Sequence, residues 1–166
     1  QTINLNEPKC NGTPWKENVR RSSQAEEVAK ESEVEMLVQN DIVEESNSPI
    51  SNNIVVVKKK DGSLRTCIDF RRLNEITVFD AFPLSRIDES LDMLGKAKYI
   101  STLDNSSAFW SCALDEAAKE MTAFGTRSHG QLQFKRMPFG LKNATATYAR
   151  ALMHVLRGLV WKCCVI

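Results

Sequence analysis

Apolar residues along this chain follow two periods, and the switches between them mark out its elements. From Gln24 to about Asn40, Val34, Leu37 and Val38 stand at i, i+3 and i+4 among acidic residues, which predicts an amphipathic helix. Ser46-Asn47-Ser48-Pro49 breaks that period and predicts a loop. The β-branched run Ile54-Val55-Val56-Val57 predicts a strand, and Asp61-Gly62 a hairpin turn. The return strand, Leu64 to Phe70, alternates: Leu64, Thr66 and Ile68 share one face, Arg65, Cys67 and Asp69 the other.

Ser85-Arg86-Ile87-Asp88 has the form of a capping box, followed by Ile87, Leu91 and Leu94 at helical spacing and by Gly95 as a stop. Lys98 to Asp104 alternates again, with Tyr99, Ser101 and Leu103 on one face, and predicts a strand. A short helix is expected over Asp115 to Glu120. Strands are expected near Thr122–Arg127 and Gln131–Arg136, joined across Ser128-His129-Gly130. Asn143 is placed to cap a helix reaching Arg157, with Ala149, Leu152, Met153 and Leu156 as its apolar stripe and Gly158 as its end. Leu159 to Ile166 then reads as an apolar strand running off the chain, the pattern expected of a truncated unit. Residues 1 to 23 show no period and read as an extended leader. Helices and hairpins without a βαβ rhythm point to an α+β fold.

The 166 residues, 42% hydrophobic, suffice for one core but not comfortably for two. No apolar run approaches the roughly 20 residues of a membrane span, so no membrane partner is expected. The residues from Gln1 to Cys10 show no signal-peptide pattern. Five cysteines, an odd number without metal-binding spacing, suggest reduced thiols and a cytoplasmic setting. Net charge is only +1, which by itself points to no nucleic-acid partner, but its distribution is uneven. Between Lys58 and Arg72 six basic residues stand against two acids; between Gln24 and Glu45 eight acids stand against Lys30 alone. The basic stretch suits phosphates, or is simply a solvated hairpin; the acidic stretch would repel them.

Four blocks of residues occur in a fixed order. The first is Ser46-Asn47-Ser48-Pro49. The second is Val57-Lys58-Lys59-Lys60-Asp61-Gly62-Ser63-Leu64-Arg65, continued by Asp69-Phe70-Arg71-Arg72-Leu73-Asn74. The third is Phe82-Pro83-Leu84, then Ile87-Asp88, then Lys98-Tyr99-Ile100-Ser101-Thr102-Leu103-Asp104. The fourth is Thr122-Ala123-Phe124, then Met137-Pro138-Phe139-Gly140-Leu141-Lys142-Asn143-Ala144. Over residues 24 to 166 the chain thus resembles the Pol reverse transcriptase of gypsy-type long-terminal-repeat retrotransposons, related to retroviral enzymes.

The resemblance implies the fingers and part of the palm of a right-hand polymerase. Residues 1–23 would be the leader, 24–80 and 112–143 the fingers, and 81–111 and 144–166 the palm. It implies an RNA-directed DNA polymerase that extends a primer with deoxynucleoside triphosphates on an RNA or DNA template, as part of a Pol polyprotein acting in an intracellular particle. Lys59 and Arg65 match positions that hold the incoming triphosphate, a role for which a point charge and a planar fork are suited. Asp104 matches the first catalytic aspartate and metal ligand, in an active site using two Mg2+ ions about 4 Å apart. Phe109 matches the aromatic gate against a 2′-hydroxyl. Phe139 and Gly140 match the lining of the nucleotide pocket, and Arg71 matches a template contact.

For each position a plainer reading stays open. Asp104 could be a turn residue at a strand end, Phe109 a core aromatic, and Arg71 with Arg72 plain surface charge. The chain also departs from the family pattern. Asn105 stands where an apolar residue usually follows the aspartate. Ala108-Phe109-Trp110-Ser111 replaces Gly-Tyr-His-Gln, and Asn143-Ala144-Thr145 replaces Asn-Ala-Pro. Ser48-Pro49-Ile50 replaces Ser-Pro-Trp, and Ser51-Asn52-Asn53 replaces the next small-Ser-Pro. A Tyr-x-Asp-Asp motif is expected just beyond Ile166, so these residues alone are expected to bind magnesium weakly or not at all and to be inactive. A non-catalytic nucleic-acid-binding module, or a relic of such an element, is the alternative.

Overall fold

The computed structural model describes residues 14–17, 22–83, 85–95 and 97–166. Most of the leader, together with Leu84 of the third block, lies outside them. Helix α1, Gln24–Gln39, starts from a capping box: Glu26 N–H donates to Ser23 Oγ at 3.3 Å, and Ser23 N–H donates to the Glu26 carboxylate at 2.7 Å. It buries Lys30, Val34 and Leu37, which share one face. Lys30 is tolerated there because its ammonium pairs with Glu27 at 3.2 Å. Asp41, at φ 56°, turns the chain into β1, Val43–Glu45.

Strands β2 (Ile54–Lys58) and β3 (Leu64–Ile68) form a two-stranded antiparallel hairpin, with Ile54 opposite Ile68 and Lys58 opposite Leu64. Gly62, at φ 84°, closes its tip, where Lys59 N–H donates to the Ser63 carbonyl at 2.8 Å. After α2 (Arg71–Ile76), α3 (Ile87–Leu94) and a 3₁₀ turn over Ala108–Ser111, helix α4 (Glu116–Met121) is capped by Asp115, which accepts from Ala118 N–H at 2.7 Å. Strands β4 (Phe124–Gly125) and β5 (Gln131–Phe134) follow, then α5 (Ala144–Val155). A second sheet has the order β1-β5-β4, with Val43 opposite Phe134 and Phe124 opposite Leu132.

The core gathers on this three-stranded sheet. Phe124 and Met137 are fully buried, and the rings of Phe70 and Phe124 pack on Phe134 at 6.4 and 5.3 Å. Trp15 is buried too, so the leader is not merely extended at this point. Ser51 N–H donates to the Trp15 carbonyl at 2.9 Å, and Glu17 N–H to the Ser51 carbonyl at 3.0 Å. The α+β class is that of the molecule.

Several expectations are corrected. Residues 98–104 form no strand; among the described residues none pairs with their main chain, and Tyr99 and Leu103 are 95% and 96% exposed. Alternation favours a strand only when a partner takes up the hydrogen bonds and an apolar surface covers one face. The same holds for Leu159–Ile166, which is a run of turns with one isolated bridge, Val160 to Cys164. Ser85 caps nothing, because α3 begins one residue late, with Arg86 as its cap residue. Asn143 precedes α5 but makes no capping bond; its side chain accepts from Asp80 N–H at 3.1 Å and donates to the Val78 carbonyl at 2.8 Å. A tertiary contact has taken the group that local pattern assigned to the helix.

Candidate active site

The β2–β3 hairpin puts its basic residues beside an aromatic wall. Lys59, at the hairpin tip, and Arg65, on β3, line one cavity of about 340 Å3 together with Cys67, Trp110, Pro138 and Phe139. Neither cation makes an ion pair among the described residues, so both can meet an anionic ligand. Glu33 of α1 reaches the same cavity. Burial raises its carboxyl above the ordinary range, and the nearby Arg65 charge offsets part of that rise.

Behind this wall lies a chain of rings. Phe109 packs on Phe139 at 5.1 Å and meets Tyr148 of α5 edge-on at 5.9 Å; Trp110 contacts Phe139 at 6.2 Å. Such tilted and edge-to-face pairs suit the ring quadrupoles. The far end of Tyr148 is also held, since the Asn105 amide nitrogen donates to its hydroxyl. Ser107, between Asn105 and Phe109, has φ 51°, a left-handed conformation costing a non-glycine residue about 1 kcal/mol or more.

Gly140, next to Phe139, needs its glycine for the backbone. Its φ is 94°, whereas an added Cβ would come no closer than 3.7 Å to the Phe70 ring, an ordinary contact. Asn74 holds this turn from α2. Its amide donates to the Gly140 carbonyl at 2.7 Å, and its side-chain oxygen accepts from Lys142 N–H at 2.7 Å.

The two neighbouring arginines are not free surface charge. Arg71 donates through Nε and Nη2 to both oxygens of the buried Asp69, with bonds of 2.6 to 3.1 Å, and is itself 74% exposed. That fork raises the Arg71 pKa further. Arg72 sits over the Trp15 ring at 5.3 Å and pins the leader.

Asp104 lies in the exposed, unpaired segment and not at a strand end. Its neighbour Asn105 ties it to α5. Asp104 is exposed and makes no ion pair among the described residues, and no cluster of three or more metal-ligating side chains exists among them. Asp104 by itself offers too few oxygen ligands to hold a hard metal ion.

Comparison with known proteins decides the family. The profile described as reverse transcriptase (RNA-dependent DNA polymerase) matches residues 57–165. The chain belongs to the reverse transcriptase family. It is 40% identical over 149 residues to the retrovirus-related Pol polyprotein from transposon 297 of Drosophila melanogaster, a match covering 87% of this chain and 14% of that protein. To the Pol polyprotein from transposon gypsy of the same fly it is 40% identical over 138 residues, covering 80% of this chain and 13% of that one. The chain therefore spans about a seventh of these relatives' length. Its fold matches a foamy viral protease-reverse transcriptase solved in complex with an RNA/DNA hybrid, with TM-score 0.75 and 22% identity over 93% of this chain and 21% of that one.

In this chain the structure gathers Lys59, Arg65 and Phe139 on one cavity, with Phe109 directly behind and Gly140 beside. Arg71 is set apart by its pairing with Asp69, and Asp104 sits on the loop leading to Phe109. Sequence reasoning missed three residues. Asn74 stood inside a matched block, and its two-sided amide was the only hint. Asn105 was visible as a departure from the family pattern. Tyr148 gave no signal, because its partners lie about 40 residues away.

Proposed function

We propose that this chain supplies the nucleotide-facing part of an RNA-directed DNA polymerase that extends a primer on an RNA or DNA template. On this reading residues 24–80 and 112–143 act as fingers, and 81–111 with 144–166 as part of the palm. The observation that carries it is the single cavity bounded by Lys59, Arg65 and Phe139, with the Phe109 ring against Phe139 at 5.1 Å. A triphosphate entering there would meet a point charge at the hairpin tip and a planar fork on β3, and the deoxyribose would rest on the aromatic wall. Phe109 would reject a 2′-hydroxyl by steric overlap. Gly140 lets the backbone approach the sugar, and Arg71, fixed in orientation by Asp69, would meet the template strand.

Asp104 would hold Mg2+ together with oxygen ligands from the rest of the palm and the triphosphate. Bound there, the metal would activate the primer 3′-hydroxyl and neutralise the departing pyrophosphate. The nucleic-acid partner is supported by the foamy viral structure, solved with an RNA/DNA hybrid. A cytoplasmic setting is supported by Cys67, Cys112, Cys163 and Cys164, all free thiols.

The test is primer extension by the complete polymerase carrying this segment. Asp104→Asn is expected to abolish extension while primer–template affinity stays nearly intact. Arg65→Ala is expected to raise the deoxynucleotide KM about 10- to 100-fold, the worth of a hydrogen bond to a charged group. Extension by Asp104→Asn at the parent rate would remove the aspartate from the reaction. Salt-sensitive binding with no extension by the parent would leave only a nucleic-acid-binding module.

A further inference from the structure

The Phe109 ring is pressed between two other rings. On one side stands Phe139, at 5.1 Å; on the other stands Tyr148, edge-on at 5.9 Å and 79°. The two flanks differ in firmness. Tyr148 belongs to α5, whose first turns bury Ala144, Ala146 and Thr147 in the body of the molecule. Phe109 belongs to a short 3₁₀ turn entered through Ser107 in the left-handed region, with few main-chain bonds: Trp110 N–H to the Ser107 carbonyl at 2.9 Å, and Cys112 N–H to the Phe109 carbonyl at 3.1 Å. The ring therefore takes its position from its neighbours more than from its own backbone.

Tyr148 is fixed at its far end too. Its hydroxyl accepts from the Asn105 amide nitrogen, and Asn105 directly follows Asp104. One strut thus runs from the residue beside Asp104, through the Asn105 amide and the Tyr148 ring, to the edge of Phe109. A gate that works by steric overlap is sensitive to displacements well below an ångström, because repulsion rises steeply at contact. Whatever fixes the ring therefore fixes the selectivity.

We propose that Tyr148, held by Asn105, is a positioning residue for Phe109 and sets how strongly the site prefers deoxyribonucleotides over ribonucleotides. The proposal rests on the assignment of Phe109 as the sugar gate. It also gives a purpose to Asn105, a polar residue where related enzymes carry an apolar one. An apolar side chain could not reach the phenol with a donor, and Tyr148 would lose its outer anchor.

The experiment measures kcat/KM for single additions of dNTP and of the matching rNTP by the complete polymerase carrying this segment. It uses the parent, Tyr148→Phe, Asn105→Val, their double variant, and Phe109→Val. Tyr148→Phe keeps the ring and removes only the hydroxyl. The dNTP-to-rNTP ratio is expected to fall about 3- to 10-fold in each single variant, the scale of one lost hydrogen bond. The double variant is expected to fall no further than either single, because both cut the same strut. Phe109→Val is expected to lower the ratio the most.

If Phe109→Val lowers the ratio and Tyr148→Phe, Asn105→Val and their double variant leave it at the parent value, the strut is wrong while the gate stands. Equal losses for dNTP and rNTP in Tyr148→Phe would reduce Tyr148 to a structural residue and also overturn the proposal. An unchanged ratio in Phe109→Val would remove the gate itself, and the strut with it.

Discussion

Asn74 and Gly140, 66 residues apart, are joined by a 2.7 Å hydrogen bond, and the same Asn74 side chain accepts from Lys142 N–H at 2.7 Å. One amide therefore grips both sides of the turn that presents Phe139. Asn74→Ala is expected to cost about 1–3 kcal/mol in denaturant unfolding, since a carbonyl and an N–H lose their partner together. In the complete polymerase it should also raise the nucleotide KM. A variant as stable as the parent would show that water replaces the clamp without loss.

Gly140 and Gly125 should respond to alanine with opposite sign. Gly140 has φ 94° and room for a methyl group, so Gly140→Ala is expected to cost about 1 kcal/mol through backbone strain alone. Gly125, in β4, has ordinary φ, and an added Cβ would lie 3.7 Å from Ser51 Oγ. Gly125→Ala is expected to gain up to about 1 kcal/mol by restricting the unfolded chain. Paired thermal melts decide; equal shifts would refute the conformational argument.

Asn52 is 2% exposed and binds two separate segments. Its amide nitrogen donates to the Met121 and Ala123 carbonyls at 3.0 and 2.9 Å, and its oxygen accepts from the Trp15 indole at 3.3 Å. Asn52→Ala is expected to cost about 2–4 kcal/mol, because buried groups are left unsatisfied. Hydrogen exchange at Glu17 N–H should accelerate as the leader loosens. A loss below about 0.5 kcal/mol would mean that these groups find other partners.

Two glutamates should give the stability–pH curve opposing contributions. The Glu44 carboxyl is held below its ordinary 4.5 by the hydrogen bond from Gln133, and also by Lys119. Its contribution is therefore present above pH 4.5 and is lost as pH falls through the lower folded value. Burial raises the Glu33 carboxyl, so its contribution is present below 4.5 and is lost as pH rises through the raised folded value. Glu44→Gln should destabilise at neutral pH and approach the parent in acid. Glu33→Gln should be more stable than the parent at neutral pH and lose that advantage in acid. Denaturant midpoints across pH 3 to 8 (roughly the range where carboxylates change charge) measure both.

Elements that stabilise themselves locally were legible in the sequence. The α1 period, the Asp61-Gly62 turn and the Asp115 helix start all appear where pattern puts them. The Ser23-x-x-Glu26 capping box was equally open to reading and went unread. Strand β1, at three residues, is too short to show any period, and its register comes from β5, nearly 90 residues on. Residues 98–104 and 159–166 failed in the opposite direction: their pattern is that of a strand, but pairing is a property of two segments. In the site, the resemblance named Lys59, Arg65 and Phe139 separately, and their meeting at one cavity is a fact of the fold. Asn74 and Tyr148 act across long stretches of chain, where no local periodicity can announce a partner.

Residues 98–104 have one more consequence, and it concerns handling. Among the described residues their main-chain groups have no partner, and they lie beside the uncovered side chains of Tyr99 and Leu103, so an extended strand that arrives, a sister molecule's included, can pair with them. At high concentration the protein should therefore become its own contaminant. Scattered light should grow faster than linearly with concentration, and Thr102→Pro, which removes one main-chain donor, should keep the solution clear.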